Sequence, residues 1–289
     1  MEILHSMKKN FLIVFSIMLL APLSVRAEKG ELLYVSEIAS NKNQSIILDT
    51  RPIKKCKKLT LAGALCLPAN DFLGPHGRLA GFAEIAWVLG STGLTGLESV
   101  IIVGRDPIKR DFVAGLVHIM GQAHITVLTK AINLLKGLKG PGQERAAIRT
   151  AIWQALPRNK TIIFKHELHN LLTTASSLIL LDGRPEKSYW GETVSAVRGG
   201  HIQGADHLPA RQLRRDIVRG QALGPSINDA IVYAHHAVDS IAFMTLITAG
   251  TGTPVRAYAG GWAEWAADGR LPADAESFPT IKFLVPKGS

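Results

Sequence analysis

The segment Ala234-His235-His236-Ala237-Val238-Asp239-Ser240 lies between an apolar run ending at Tyr233 and a helical stretch. It puts a hydroxyl, two imidazoles and a carboxylate in one loop, which are the residue types of a Ser-His-Asp nucleophile. Such a nucleophile needs a base that a third group orients, and neighbours in one loop do not by themselves provide that geometry. His235 and His236 also offer metal ligands, with His201, His207 and Asp239 as further donors if the chain brings them together, because transition metals favour imidazole. Adjacent histidines diverge more often than they chelate, so neither a metal nor another cofactor is expected. Asp49/Arg51 and Asp182/Arg184 each close an apolar run; each reads as an ion pair pinning a loop to a sheet, or as an arginine that orients a substrate. His166-Glu167-Leu168-His169 is one residue short of the zinc-protease helix motif, whose i, i+4 histidines share a face, and reads as an ordinary helix feature. Gly90–Gly96 lacks the Gly-Lys-Ser/Thr ending of a phosphate loop and reads as a helix end. Cys56 and Cys66 are the only cysteines. In an oxidising compartment they form a candidate disulfide; the other reading is a pair of thiols with Cys66 buried on a strand.

The elements that must position these residues recur along the chain. SIILDTRPIKK at 45–55 returns as LILLDGRPEKS at 178–188, and LAGALCLP at 61–68 as IQGADHLP at 202–209. SVIIVGRD at 99–106 returns as DAIVYAHH at 229–236, and HITVLTKA at 124–131 as PVRAYAGG at 254–261. Four features in the same order argue for two duplicated domains. Short, continuous, β-branched runs such as Val100–Val103 and Ile125–Leu128 read as strands of a parallel sheet covered on both faces. The intervening stretches, among them Asp111–Met120 and Ser240–Thr248, read as helices. The expected fold is α/β, with a mostly parallel central sheet of about five strands flanked by helices in each domain. The boundaries are 28–137 for the first domain, 138–160 for a linker containing a helix over Glu144–Leu156, and 161–289 for the second domain.

The second half resembles the tandem rhodanese (thiosulfate sulfurtransferase) family. The resemblance rests on Asp182-Gly183-Arg184, Tyr189-Trp190-Gly191-Glu192, Arg198-Gly199-Gly200-His201-Ile202-Gln203-Gly204-Ala205, Tyr258-Ala259-Gly260-Gly261-Trp262-Ala263-Glu264-Trp265 and Leu271-Pro272, in that order. Gln203 departs from the family proline. Ala234 stands where the resemblance implies the catalytic cysteine, and the second half contains no cysteine. A methyl group cannot carry a persulfide, so the degenerate loop 234–240 implies a pseudoenzyme. In the family the loop opens onto a helix N-terminus whose N–H groups and dipole cradle an anion, and the backbone cradle does not require the sulfur. Arg184, Arg198, His235, His236, Asp239 and Ser240 are therefore candidate binding residues, with His235, Asp239 and Ser240 at the rim. The counterpart position in the first half falls near Gly104, in a domain expected to shape the cleft.

Lys8 and Lys9, the apolar run from Phe11 to Leu20, and Val25-Arg26-Ala27 read as a signal peptide over 1–27. The run is short of the ~20 residues of a membrane span. An exported, periplasmic protein with no membrane span after cleavage is expected. Of the +10 net charge, cleavage removes three basic residues and one acidic residue, leaving +8. The positive charges are scattered, apart from Lys54-Lys55-Cys56-Lys57-Lys58. That balance suits a small sulfur-containing anion or an acidic protein partner rather than nucleic acid. Two competing expectations remain: sulfur transfer through a recruited Cys56 or Cys66, and a pure interaction module of an envelope complex.

Overall fold

The computed structural model describes residues 31–38, 45–136, 140–175, 177–220 and 227–275; the proposed signal segment 1–27 lies outside them. The first half runs β1 (Glu31–Val35), β2 (Ile46–Asp49), α1 (Ile53–Lys58), β3 (Leu65–Cys66), α2 (Phe82–Ser91), β4 (Ser99–Val103), α3 (Pro107–Ile119), β5 (His124–Leu128) and β6 (Gln143–Glu144). The second half begins with β7 (Ile162–Ile163), α4 (Lys165–Thr174), β8 (Leu180–Asp182), α5 (Glu186–Tyr189), β9 (His201–Ile202) and β10 (Asp206–His207). It continues with α6 (Ala210–Val218), β11 (Ile231–Tyr233), α7 (Ala237–Thr251), β12 (Arg256–Tyr258), α8 (Gly261–Ala267) and β13 (Ala273–Asp274).

The chain is α/β, with parallel sheets flanked by helices. The first sheet has the order β1-β5-β4-β2-β3-β6 and the second, read from its first strand, β7-β12-β11-β8-β10. All neighbours in both are parallel. The five strands of the second sheet thus occupy, in chain order, the same places as the first five of the first sheet, and the recurring sequence strings fall on them. β4 buries Val100 to Val103 in succession, as a strand covered on both faces must. β9 and β13 form a separate antiparallel pair.

The Asp-x-Arg units are built alike. Arg51 Nε donates to Asp49 Oδ1 at 3.0 Å and Nη2 to Oδ2 at 2.6 Å; Arg184 repeats both distances on Asp182. Each Nη2 also reaches a carbonyl, Leu59 O or Gly200 O. Cys56 on α1 and Cys66 on β3 are joined by a disulfide with a Cα separation of 5.8 Å, and both are fully buried.

Segment 144–156 is extended rather than helical. Its backbone is claimed by the first half: β6 pairs with β3, Ala146 N–H donates to Ser91 O, and the N–H groups of Thr150 and Ala151 donate to Gly90 O. Gln154 N–H goes to Thr95 O and Arg158 N–H to Ile119 O. A helix over Glu144–Leu156 is expected from the sequence, but these partners satisfy the same donors instead. The stretch assigned as a linker therefore contributes the sixth strand.

The halves meet through α3 and α7. Asp106 caps α3 by accepting from the N–H groups of Ile108 and Lys109, with Pro107 at the first helical position, where its missing N–H costs nothing. Every residue of α3 from Arg110 to Ile119 is buried, as is every residue of α7 from Ser240 to Ile247. Both helices are apolar on all sides because each is sandwiched. One hydrophobic cluster runs from Leu48 and Val100 through Phe112 and Leu116 to Ile241, Leu246 and Val232. At Gly115 the helices come into direct contact, and a Cβ there would meet Thr245 Oγ1 and lie 2.8 Å from Ile241 Cγ2. Among the described residues, no helix is long and apolar enough to cross a membrane.

His118, near the end of α3, is buried with Nδ1 lacking a hydrogen-bond partner. Burial, reinforced by Arg158, pulls its pKa down to about 3. The unfolded chain therefore binds a proton at His118 that the folded chain refuses. The His118 contribution to stability is intact above pH 6.5 and lost progressively as pH falls toward 3, with a slope of up to about 1.4 kcal/mol per pH unit. Urea unfolding across this range should show that slope, and His118→Phe should reduce it.

Candidate functional site

β11 ends at Tyr233, and its chain passes through Ala234 and His235 into α7. The loop is short and tied down at both ends. Ala234 N–H donates to Ser240 Oγ at 3.0 Å, and Ser240 N–H donates to His236 O at 2.9 Å. The carbonyls of Ala234 and His235 accept from the N–H groups of Trp262 and Ala263, at the start of α8. This closeness requires glycine at 261: its φ is +62°, and a Cβ would lie 2.8 Å from Ala234 O and 2.7 Å from His235 O.

The candidate residues divide into three groups. Ser240 was expected at the rim, but it is fully buried and its hydroxyl closes the loop from within. Asp239 sits in the first turn of α7, where a carboxylate suits the helix dipole and opposes an anion. His235 is half-buried, with Nδ1 lacking a partner. Burial, with His236 and Arg184 nearby, lowers its pKa. Its ring lies 4.2 Å from that of His236, which is exposed.

Both candidate arginines are held inside the fold. Arg184 is buried against Asp182 and Gly200 O and stacks over Trp262 at 4.7 Å. The ion pair with Asp182 is one of the two roles that the sequence offered for Arg184. Arg198 lies over Trp262 at 5.9 Å, and its Nη2 donates to the carbonyls of Trp265, Asp268 and Leu271, around the C-terminus of α8. The other metal donors are also occupied. His201 Nδ1 contacts Tyr189 O and its ring stacks on Tyr189 at 3.7 Å; His207 Nε2 contacts Arg184 O. Among the described residues, no three His, Cys, Asp or Glu side chains converge as metal ligands.

The loop opens into a cleft of about 490 Å³ between the halves. The second half lines it with His236 and Ala237 at the head of α7, Phe164, and Gly260 and Glu264 of α8. The first half supplies the stretch from His76 to Phe82. No side chain caps α7, and the N–H groups of a helix's first turn have no intrahelical acceptor. His76 and Arg78, both exposed, face the same space, and His76 has a φ of +59°, a left-handed conformation that costs a residue with a Cβ energy. Sequence reasoning missed this stretch. Its only signal was Gly74-Pro75-His76-Gly77-Arg78, a loop composition carrying an imidazole and a guanidinium. Glu264 accepts from Tyr258 Oη at 2.8 Å and adds one negative charge to the wall.

The Rhodanese-like domain family matches the chain over residues 164–268. That stretch is similar to a rhodanese-like domain. A thiosulfate sulfurtransferase of Azotobacter vinelandii is 33% identical to this chain over 111 residues, 35% of this chain and 41% of that enzyme. The likeness to the family model thus falls on the half that carries the loop, and the chain spans under half of the enzyme's length. Among solved structures, wild-type EanB resembles 83% of this chain with a TM-score of 0.66 at 16% identity, the match covering 65% of EanB. The anaerobic ergothioneine biosynthesis enzyme from Chlorobium limicola, in complex with trimethyl histidine, matches with a TM-score of 0.66 at 16% identity, over 83% of this chain and 66% of that one. At such identities the likeness concerns the fold alone, and it extends over both halves.

Arg184→Ala would leave Asp182 buried and unpaired in the rhodanese-like domain. It should destabilise the chain by about 3–5 kcal/mol, measured by chemical denaturation. Arg184→Lys should recover only part of this, because an ammonium cannot reproduce the guanidinium fork.

Proposed function

We propose that this is an exported rhodanese-family pseudoenzyme that holds a small sulfur oxyanion in the cleft between its halves and does not transfer sulfur through a cysteine. The observation that carries the reading is Ala234. It occupies the buried first position of the loop, directly after the strand that leads into α7. Its methyl group has no lone pair to attack thiosulfate, but the cradle around it is kept.

That cradle is the uncapped first turn of α7, with His236 beside it and His76 and Arg78 across the cleft. Helix N-termini favour anions through free N–H groups and the dipole. Asp239 and Glu264 oppose a second negative charge, which favours a small ligand seated close to the amides. The disulfide between Cys56 and Cys66 weighs against a recruited thiol, since oxidised sulfur is not a nucleophile. The matching strand orders support an origin by duplication, with the first half as the non-catalytic wall of the cleft.

Thiosulfate, sulfite and sulfate should each raise the melting temperature if they bind the native state. At tenfold excess over Kd the rise should be about 3–5 °C for a chain of this size. No shift with any of the three contradicts the ligand assignment. In a thiosulfate:cyanide assay the wild type should be inactive, and Ala234→Cys should gain turnover if the cradle is intact.

A further inference from the structure

The first half carries a counterpart of the loop at Gly104-Arg105-Asp106, between β4 and α3, and it also faces the other half. Beside it is a cavity of about 230 Å³ lined by Arg105, Arg110 and Arg214 together with the apolar Ile217, Val218 and Leu246. We propose that this cavity is a second ligand site, specific for a small carboxylate with a short apolar chain. It is separate from the cleft at Ala234 and does not depend on that cleft's ligand.

The charge balance carries the argument. Asp111 is the acidic partner of this arginine group, and it is fully buried and already committed. It accepts from Tyr34 Oη at 2.7 Å, Arg110 Nε at 2.9 Å and Arg214 Nη1 at 2.5 Å. One carboxylate thus faces two guanidinium groups, and Tyr34 adds no charge because burial, and then Asp111, push its hydroxyl well above the ordinary range. Arg110 Nη1 donates to Thr129 O at 3.0 Å. The third arginine, Arg105, is exposed and has no hydrogen bond or ion pair among the described residues. The wall therefore carries a surplus of positive charge in a concave space, which concentrates anions. Arg105 has a whole guanidinium fork available, and that fork matches a carboxylate in two parallel hydrogen bonds.

The apolar lining selects the rest of the ligand. Val218 is 74% exposed, an apolar side chain at the cavity edge that an alkyl chain would cover. At about 30 Å³ per water-sized group the space holds about seven such groups, the size of pentanoate. An inorganic oxyanion would satisfy the arginines but leave the apolar side empty. An alcohol of the same length would do the reverse.

Pentanoate is the probe, titrated calorimetrically into the mature chain, with acetate and pentanol as controls. Saturable pentanoate binding is expected, tighter than that of either control. Arg105→Ala should weaken it about tenfold, the loss of a charge-assisted pair. Arg105 has no partner to lose, so this variant should melt like the wild type. Val218→Asp, which brings a negative charge to the apolar edge, should also weaken binding. The proposal is overturned if pentanoate does not saturate, if pentanol binds equally well, or if neither substitution changes the affinity. Because Arg105 does not line the cleft at Ala234, pentanoate bound there would be unaffected by Arg105→Ala, so the failure of one site is distinguishable from that of the other.

Discussion

The two halves are held in register by α3 packed directly on α7, and both cavities depend on that contact. The helices meet where Gly115 faces Ile241 and Thr245, and the residues around them form one apolar cluster that continues into both sheets. A close-packed interface of this kind resists small displacement, because contacts are lost outright when a gap opens. The same helices begin at the two counterpart loops, after β4 and after β11. Fixing α3 on α7 therefore also fixes where each loop faces the other half. Across this seam Asp111 of one half binds Arg214 of the other, the carboxylate fully buried and the guanidinium partly exposed.

Within that frame the loop at Ala234 is rigid, with its polar groups largely spent on holding it. Ser240 closes it from below, α8 takes its first two carbonyls, and Arg184 holds Asp182 and Gly200 beside it. What remains open toward the cleft is the first turn of α7 and the ring of His236. A site of this kind can bind an anion through backbone donors. Nucleophilic chemistry would need a side chain that the chain does not place there.

Much of the fold was legible in the sequence because parallel strands covered on both faces leave continuous apolar runs, and because the strings SIILDTRP and LILLDGRP mark equivalent strand ends. The expected helix failed at 144–156, where the segment gives its backbone donors to Gly90, Ser91 and Thr95 instead of to itself. The site was less legible. Arg184, Arg198 and Ser240 have the chemistry of binding residues, but partners within the fold engage all three; the spacing marks Asp182 as the partner of Arg184, and it reveals neither the carbonyls around Arg198 nor the Ala234 N–H at Ser240. His76 and Arg78 reach the cleft only because the first half folds against the second, a relation that no single-domain motif encodes. The arginine cavity beside Arg105 was hidden for the same reason: its walls come from segments more than a hundred residues apart, as Asp111 and Arg214 are.

The central claim is that a rhodanese-like loop here has kept its place in the fold without its nucleophile. Intact-mass spectrometry of the wild-type chain after exposure to thiosulfate tests it most directly. The account predicts an unchanged mass, because no thiol is available to accept sulfur. A gain of one sulfur atom mapping to Cys56 or Cys66 would contradict it, because it would show that the disulfide opens and that the chain forms a persulfide by another route.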